Sequence, residues 1–522
     1  RVEMHSLAPF FLGLIPFVLL AHGKGCIPRA FTNGTVCVCN STYCDSIEPI
    51  GDVSSSKVVL YRTDNNGSRM DRSIIDFSTT AAGPVFTFDP SSLLQEIFGF
   101  GGAFTDAAGI NMNLLSEQTQ HILLQQYFGP SGSEYTLGRV PMASTDFSTS
   151  EYSYDDVQGD LDLVNFTLAN EDFLLKIPYI QQAISMQNGS GGLRLFASPW
   201  SAPGWMKTNN DMKGGGQLRG LPLGPYWITW ANYFVKFFEA YANEGIPFWG
   251  ATVQNEPTTG ADQAYPWQTM YFSAQTERDF IKTLLGPALR NSSVSKDILI
   301  MTLDDQRFML PSWADVVFED EEASSYTSGV AVHWYEDHVD NPDVLTHTHE
   351  RHPDKFILPT EACLGWLKVD KGVNLGSFRR GEDYAFSIIT DMNNYAVGWT
   401  DWNLVLDQTG GPTWVSNFVD SPIIVNPDAD EFFKQPMYYA LAHFSKFLKP
   451  GSYRVAMTGP EGLNEDVRAL TAIDTAGRRV VVAINRREDE DVTLSFVEKG
   501  KANNYVNINL PAHSIITAIW NA

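Results

Sequence analysis

Two glutamates stand at the C-terminal ends of two apolar, strand-like runs. Phe248-Trp249-Gly250-Ala251-Thr252-Val253-Gln254 leads into Asn255-Glu256-Pro257, and Phe356-Ile357-Leu358-Pro359-Thr360 leads into Glu361-Ala362. An ionisable side chain just past a buried strand costs stability unless it has a partner or a task. One such Glu commonly caps a strand or pairs with an arginine. Two, each on its own strand, are what cleavage of a glycosidic bond needs: an acid/base and a nucleophile flanking the bond. Their placement on the fourth and seventh strands predicts a carboxyl separation of about 5–5.5 Å, which retains anomeric configuration, rather than the wider inverting gap.

The elements around these residues alternate. Eight short apolar runs occur between residues 96 and 403: Ile97–Ala103, Gly138–Pro141, Leu193–Ala197, Trp249–Gln254, Ile298–Leu303, Val330–Tyr335, Phe356–Glu361 and Ala396–Asn403. Helix-like stretches lie between them, among them Glu171–Met186, Tyr226–Asn243, Thr276–Leu289 and Gly381–Tyr395. Eight β and α units over about 300 residues indicate an α/β fold, the (β/α)8 TIM barrel; a doubly wound sheet usually has fewer units. Beyond residue 452 the texture becomes short strands and turns, an antiparallel sheet or sandwich. Lys57–Tyr61 and Val85–Phe88 read the same way, so both chain ends are expected in one β domain.

In such a barrel reactive residues sit at strand C-termini. Those ends supply Thr105-Asp106, Ser198-Pro199-Trp200, Asn255-Glu256, Asp304-Asp305-Gln306, His333-Trp334-Tyr335, Glu361 and Trp399-Thr400-Asp401-Trp402-Asn403. Amides, hydroxyls and flat indoles suit a sugar, whose hydroxyls need hydrogen bonds and whose C–H faces stack on rings. His333 joins the sugar-binding candidates.

The rest of the chain sets the workplace. A net charge of −25 argues against a nucleic-acid partner and fits an acidic compartment, where protonation relieves self-repulsion. Leu7–Ala21 is almost wholly apolar but short for a span and holds Pro9 and Pro16, so residues 1–25 are expected to be a secretory signal peptide. Four of the five cysteines crowd together as Cys26, Cys37, Cys39 and Cys44. A zinc knuckle is the competing reading, but behind a signal peptide two disulfides are expected. Cys37 and Cys39 are too close to bridge easily, and Cys26–Cys37 with Cys39–Cys44 is the pairing chosen. Cys363 is left as a packed thiol. Sequons at Asn33, Asn40, Asn66, Asn165, Asn188 and Asn291 are candidate glycosylation sites. His347, His349 and His352 are read as the exposed face of a connecting helix rather than a metal site. Gly99-Phe100-Gly101-Gly102 lacks the rest of a dinucleotide fingerprint. No metal and no cofactor are expected.

Longer motifs carry a resemblance. Phe100-Gly101-Gly102-Ala103-Phe104-Thr105-Asp106-Ala107-Ala108, Arg139-Val140-Pro141-Met142-Ala143-Ser144, Leu303-Asp304-Asp305-Gln306-Arg307, Val397-Gly398-Trp399-Thr400-Asp401-Trp402-Asn403-Leu404 and Asn417-Phe418-Val419-Asp420-Ser421-Pro422-Ile423-Ile424-Val425 are similar to stretches of the glucosylceramidase family, the acid β-glucosidases of glycoside hydrolase family 30. The likeness runs from Cys26 to about Trp520. The resemblance implies that Glu256 is acid/base and Glu361 nucleophile. It implies that Asp106, Trp200, Asn255 and Trp402 hold glucose, with Tyr335, Gln306 and Asn417 near the entrance. Tyr265 and Trp267 would line the lipid side; the family has Phe where Trp267 stands. The Val53–Thr80 stretch and the cysteine spacing diverge.

The expected layout is a signal peptide over 1–25 and a small disulfide-bonded β subdomain over 26–49 and 404–435. A β-sandwich over 50–95 and 452–522 joins a catalytic barrel over 96–403 and 436–451. The resemblance implies hydrolysis of glucosylceramide in the lysosome lumen, reached by the secretory pathway and peripheral to a membrane. Expected partners are anionic phospholipid, a saposin-type activator protein and a lysosomal sorting receptor. The alternatives are a related β-xylosidase or β-1,6-glucanase, or a non-catalytic glycolipid binder.

Overall fold

The computed structural model describes residues 23–187, 192–460 and 466–522. The expected signal segment as far as residue 22, and the sequon at Asn188, lie outside the described residues.

Eight parallel strands form a closed ring: β1 Gly99–Ala103, β2 Leu137–Met142, β3 Arg194–Pro199, β4 Gly250–Thr252, β5 Leu299–Gln306, β6 Thr327–His333, β7 Phe356–Glu361 and β8 Gly398–Asn403. Each pairs with its sequence neighbours; β8 pairs with β1, and a parallel bridge from Ile357 to Ala396 closes the ring beside β7. The strands read as near-continuous apolar runs because both their faces are covered. Leu137, Phe196, Met301, Ala331 and Leu358 plug the interior, which leaves the C-terminal rim for polar work. Outside, helix Pro225–Asn243 buries Trp230, Phe234, Phe237 and Tyr241, a stripe at helical spacing.

The glycine-rich β1 is a packing device. A Cβ on Gly101 would stand 1.9 Å from the Leu137 carbonyl oxygen, and one on Gly398 would stand 2.1 Å from that of Gly99. Glycine there lets β1 fit between β2 and β8, which accounts for the motif without any phosphate.

A nine-stranded sheet joins the chain ends. Ser514–Trp520 pairs antiparallel with Lys57–Asp64, and the long strand Val85–Ile97 pairs with both Ser452–Thr458 and Val492–Glu498. The sheet folds over on itself: Val58, Val481 and Ile516 share one core with Phe86, Leu494, Phe496 and Ile508. A five-stranded sheet combines Pro28–Phe31 and Gly34–Asn40 with Val405–Leu406, Ile423–Asn426 and Glu431–Lys434. It carries disulfides Cys26–Cys37 and Cys39–Cys44, while Cys363 is free and buried. No helix among the described residues is long and apolar enough to cross a membrane.

Candidate active site

The site is built where three strands end. The β4 ladder stops at Thr252, and the chain runs on to Asn255, whose N–H donates to the Pro199 carbonyl (2.9 Å). The Glu256 N–H donates to the Asp304 carbonyl (2.9 Å). Glu256 itself is left-handed (φ 41°), a conformation costing a non-glycine residue about 1–3 kcal/mol unless its surroundings impose it. Pro257 opens the following 3-10 turn and disfavours the right-handed region for the residue before it. Across the barrel, β7 delivers Glu361.

Beneath both glutamates lies a buried charge network centred on Arg139 and Asp304. Arg139 sits in the middle of β2 with no exposure and donates to Glu361, to Asn255 Oδ1 (2.9 Å), to Asp304 Oδ2 (2.8 Å) and to Ser198 Oγ (3.1 Å). Its guanidinium also lies under the stacked indoles of Trp200 and Trp402, whose rings are 5.0 Å apart. Asp304 accepts from the hydroxyls of Thr252 (2.6 Å) and Thr360 (2.7 Å). His333 bridges the network to Glu256, with Nε2 3.1 Å from Asp304 and Nδ1 3.0 Å from Glu256 Oε1.

The electrostatics follow from that wiring. Burial alone would raise the Asp304 carboxyl, but Arg139 and His333 hold it well below the usual carboxylate range. Burial alone would lower His333, yet Glu361, Asp304 and Glu256 around it raise it to about 10. His333 is therefore an imidazolium that donates from both nitrogens. Burial pushes Glu361 up, opposed by His333 and Arg139. Tyr335 donates to Glu361 Oε1 (2.7 Å). Tyr265 and Gln306 donate to Glu256 (3.2 and 3.3 Å).

Carboxyl oxygens of Glu256 and Glu361, and a ring nitrogen of His333, lie within 4.8 Å of one another. Both His333 nitrogens are already engaged there, one by Asp304 and one by Glu256. The three candidate histidines do not converge: His349 stacks on Tyr395 and His352 bonds Asp315 (2.9 Å).

A cavity of about 510 Å³ opens above the two glutamates. Trp200, Asn255, Tyr265, Trp267, Gln306, Tyr335, Trp402 and Asn417 all line it. Two expected sugar contacts do not. His333 stands behind Glu256. Asp106 is not among the residues of the wall. Its carboxylate, 3% exposed, is engaged by Lys176 (3.2 Å), Ser148 (2.5 Å) and Tyr152 (2.9 Å). Besides the two glutamates, Asp146, Asp305 and Glu336 do line the wall; Asp146 is held by the Asn417 amide (2.9 Å) and raised by burial to about 7. Asp146 lies four residues past β2, so the strand-end rule applied to β2 finds it. Arg139 carries a different signal: a charged residue inside an otherwise apolar strand.

Two family models match the chain, one after the other. The glycosyl hydrolase family 30 TIM-barrel domain matches residues 97–448, and the family 30 beta sandwich domain matches 451–518. Putative glucosylceramidase 4 of Caenorhabditis elegans is 49% identical over 98% of this chain and 98% of its own length. Lysosomal acid glucosylceramidase of Mus musculus is 46% identical over 98% of this chain and 99% of its own. Among solved structures, SrfJ from Salmonella typhimurium superposes with a TM-score of 0.81 at 28% identity, covering 89% of this chain and all of that one. With both domain models matched end to end, this chain belongs to glycosyl hydrolase family 30.

Proposed function

We infer that the protein is a glucosylceramidase, a retaining β-glucosidase that hydrolyses glucosylceramide to glucose and ceramide. The observation that carries the reading is that one carboxyl oxygen of Glu256 and one of Glu361 lie within 4.8 Å of each other beside an indole-walled cavity. So close an approach suits double displacement, whose carboxyls stand nearer than the inverting pair. The near-full-length identity to the mouse and nematode proteins supports the lipid substrate.

Glu361 is the nucleophile. Arg139, Tyr335 and His333 favour its ionised form and fix its attacking oxygen. Attack forms the Glu361–C1 bond as the C1–O bond to the lipid breaks. Glu256 gives its proton to the departing oxygen. Water then attacks C1, its proton goes to Glu256, and the ester to Glu361 breaks. Trp200 and Trp402 pack the sugar face, while Asn255, Asp146 and Asn417 meet its hydroxyls.

The lipid leaves toward the apolar part of the mouth. Tyr265 packs on Trp267 (4.8 Å between rings) and Tyr335 on Trp366 (5.4 Å), with Met309, Val339 and Val419 beside them. Next to Trp366, the run Leu367-Lys368-Val369-Asp370-Lys371 exposes Leu367 and Val369, Val369 by 94%, while Asp370 pairs with Arg380 (2.8 Å). Apolar side chains flanked by lysines suit the surface of an anionic membrane. The reading therefore assigns the protein to the lysosome lumen, peripheral to the membrane, with anionic phospholipid, a saposin-type activator and a sorting receptor as partners. The test is turnover of glucosylceramide in anionic vesicles beside a panel of soluble β-glucosides, β-xylosides and β-1,6-glucan. Preferred release of glucose from the lipid supports the reading; preference for xyloside or glucan, or no turnover, defeats it.

A further inference from the structure

Glu277 is a fully buried carboxyl that lies outside the cavity wall. Glu277 is 1% exposed on helix Ala274–Phe280, whose start is fixed by reciprocal bonds between Ser273 and Thr276. It accepts the indole N–H of Trp313 (2.6 Å) and the backbone N–H of Leu303 (3.2 Å). Leu303 and Asp304 are both left-handed (φ 75° and 54°), and the β5–β6 register shifts between Leu303 and Asp305. Two successive non-glycine residues in that region hold only when their surroundings impose it. A bulge re-aims a side chain, and its displaced amide needs a new acceptor. Glu277 is that acceptor.

The bulge is what aims Asp304. The Asp304 carboxylate holds Arg139 and His333, which in turn contact Glu361 and Glu256, while its carbonyl takes the Glu256 amide. We propose that Glu277 is a positioning residue for the hydrolase: by capping the Leu303 amide it keeps the β5 bulge, and through Asp304 the bulge keeps both site glutamates in place. The proposal rests on the hydrolase reading given above. Burial lifts the Glu277 carboxyl to about 8, so in an acidic compartment it is a neutral acid. Glutamine keeps one acceptor oxygen for the Leu303 amide at the cost of the Trp313 bond, while leucine removes the acceptor altogether.

The experiment compares Glu277→Gln and Glu277→Leu by kcat per active site, counted with a fluorinated glucoside that traps the glycosyl-enzyme. Glutamine should keep most of the parent rate. Leucine should lose about 10²-fold in kcat per titrated site, with a smaller change in KM and a displaced pH–rate profile. A crystal structure of Glu277→Leu should show Leu303 and Asp304 returned to negative φ. If Glu277→Leu does not fold, Trp313→Phe frees one Glu277 oxygen and should move kcat and the pH profile in the same direction by less. A lowered melting temperature with parent kcat per site and parent pH profile overturns the proposal. A parent protein that cleaves no glucoside defeats the hydrolase reading alone; the backbone angles still decide this one.

Discussion

Of the buried ionic clusters in this barrel, two make a useful pair, because only one of them reaches the cavity wall. In the first, Lys176 has no exposure and lies 3.2 Å from Asp106 and 3.4 Å from Asp172. Ser148, Tyr152, Tyr154 and Tyr241 donate to those two carboxylates, so the cluster closes on itself. In the second, Arg139 and His333 are shared between the buried Asp304 and the glutamates at the cavity floor. Both clusters contain cations between carboxylates in low dielectric. The difference is that Glu256 and Glu361 keep an oxygen side open to the cavity, with side-chain exposures of 13% and 8%. Buried charge alone does not mark a reaction centre; buried charge that supports an exposed carboxylate does.

The comparison breaks first at the glutamates. Glu361→Gly should abolish the glycosyl-enzyme, with external azide restoring a product of inverted configuration. Glu256→Ala should lose about 10⁴-fold on glucosides with poor leaving groups and far less on activated ones, which need no protonation. Identical behaviour of the two variants on both substrate types would contradict the separate roles.

The two cations come next. Arg139→Lys forfeits the fork that reaches Glu361, Asp304 and Asn255 together, and should lower kcat by about 10²–10³. Lys176→Met leaves two unpaired buried carboxylates and should cost about 3–5 kcal/mol of stability. Its kcat per folded molecule should stay at the parent value. Denaturant midpoints beside active-site titration separate the two outcomes.

Asp146→Asn should reduce kcat/KM by about tenfold through a weakened sugar contact. Asp106→Asn should change stability and leave kcat/KM near the parent value. Steady-state kinetics on one soluble glucoside checks both.

The smallest effect is in the pH dependence of stability. His333 is raised from 6.5 to about 10, so its contribution is complete below 6.5 and lost as pH rises toward 10. Asp146 and Glu277, raised to about 7 and about 8, bind protons more tightly folded than unfolded and act in the same direction. The melting temperature should fall by several degrees between about pH 5 and pH 8. A rise over that window would contradict the assigned protonation states.

Much of this architecture is legible in the chain, because apolar runs of strand length recur between helix-like stretches. The run Phe356–Glu361 is β7 to the residue. Two other strands depart from their apolar pattern where the backbone turns left-handed. Trp249–Gln254 shortens to Gly250–Thr252, since Val253 to Glu256 leave the ladder to deliver the acid/base. Ile298–Leu303 extends to Gln306 through the Leu303–Asp304 bulge. Positive φ at a leucine or glutamate has no local sequence signal, being imposed by Glu277, Pro199 and other distant partners. For the same reason His333 is readable as a strand end, while its bond to Glu256, 77 residues away, is not. Asp106 is likewise readable as a strand end, while its pairing with Lys176, 70 residues away, is not.

The central claim is that Glu361 attacks the anomeric carbon while Glu256 handles the proton. Its most direct test is mass-spectrometric mapping after incubation with 2-deoxy-2-fluoro-β-glucosyl fluoride, which slows the second step and accumulates the ester. The account predicts one sugar per chain, on the peptide containing Glu361, with turnover lost in step. A label on Glu256 or Asp146, or full activity with no label in a protein that cleaves the parent glucoside, would contradict it.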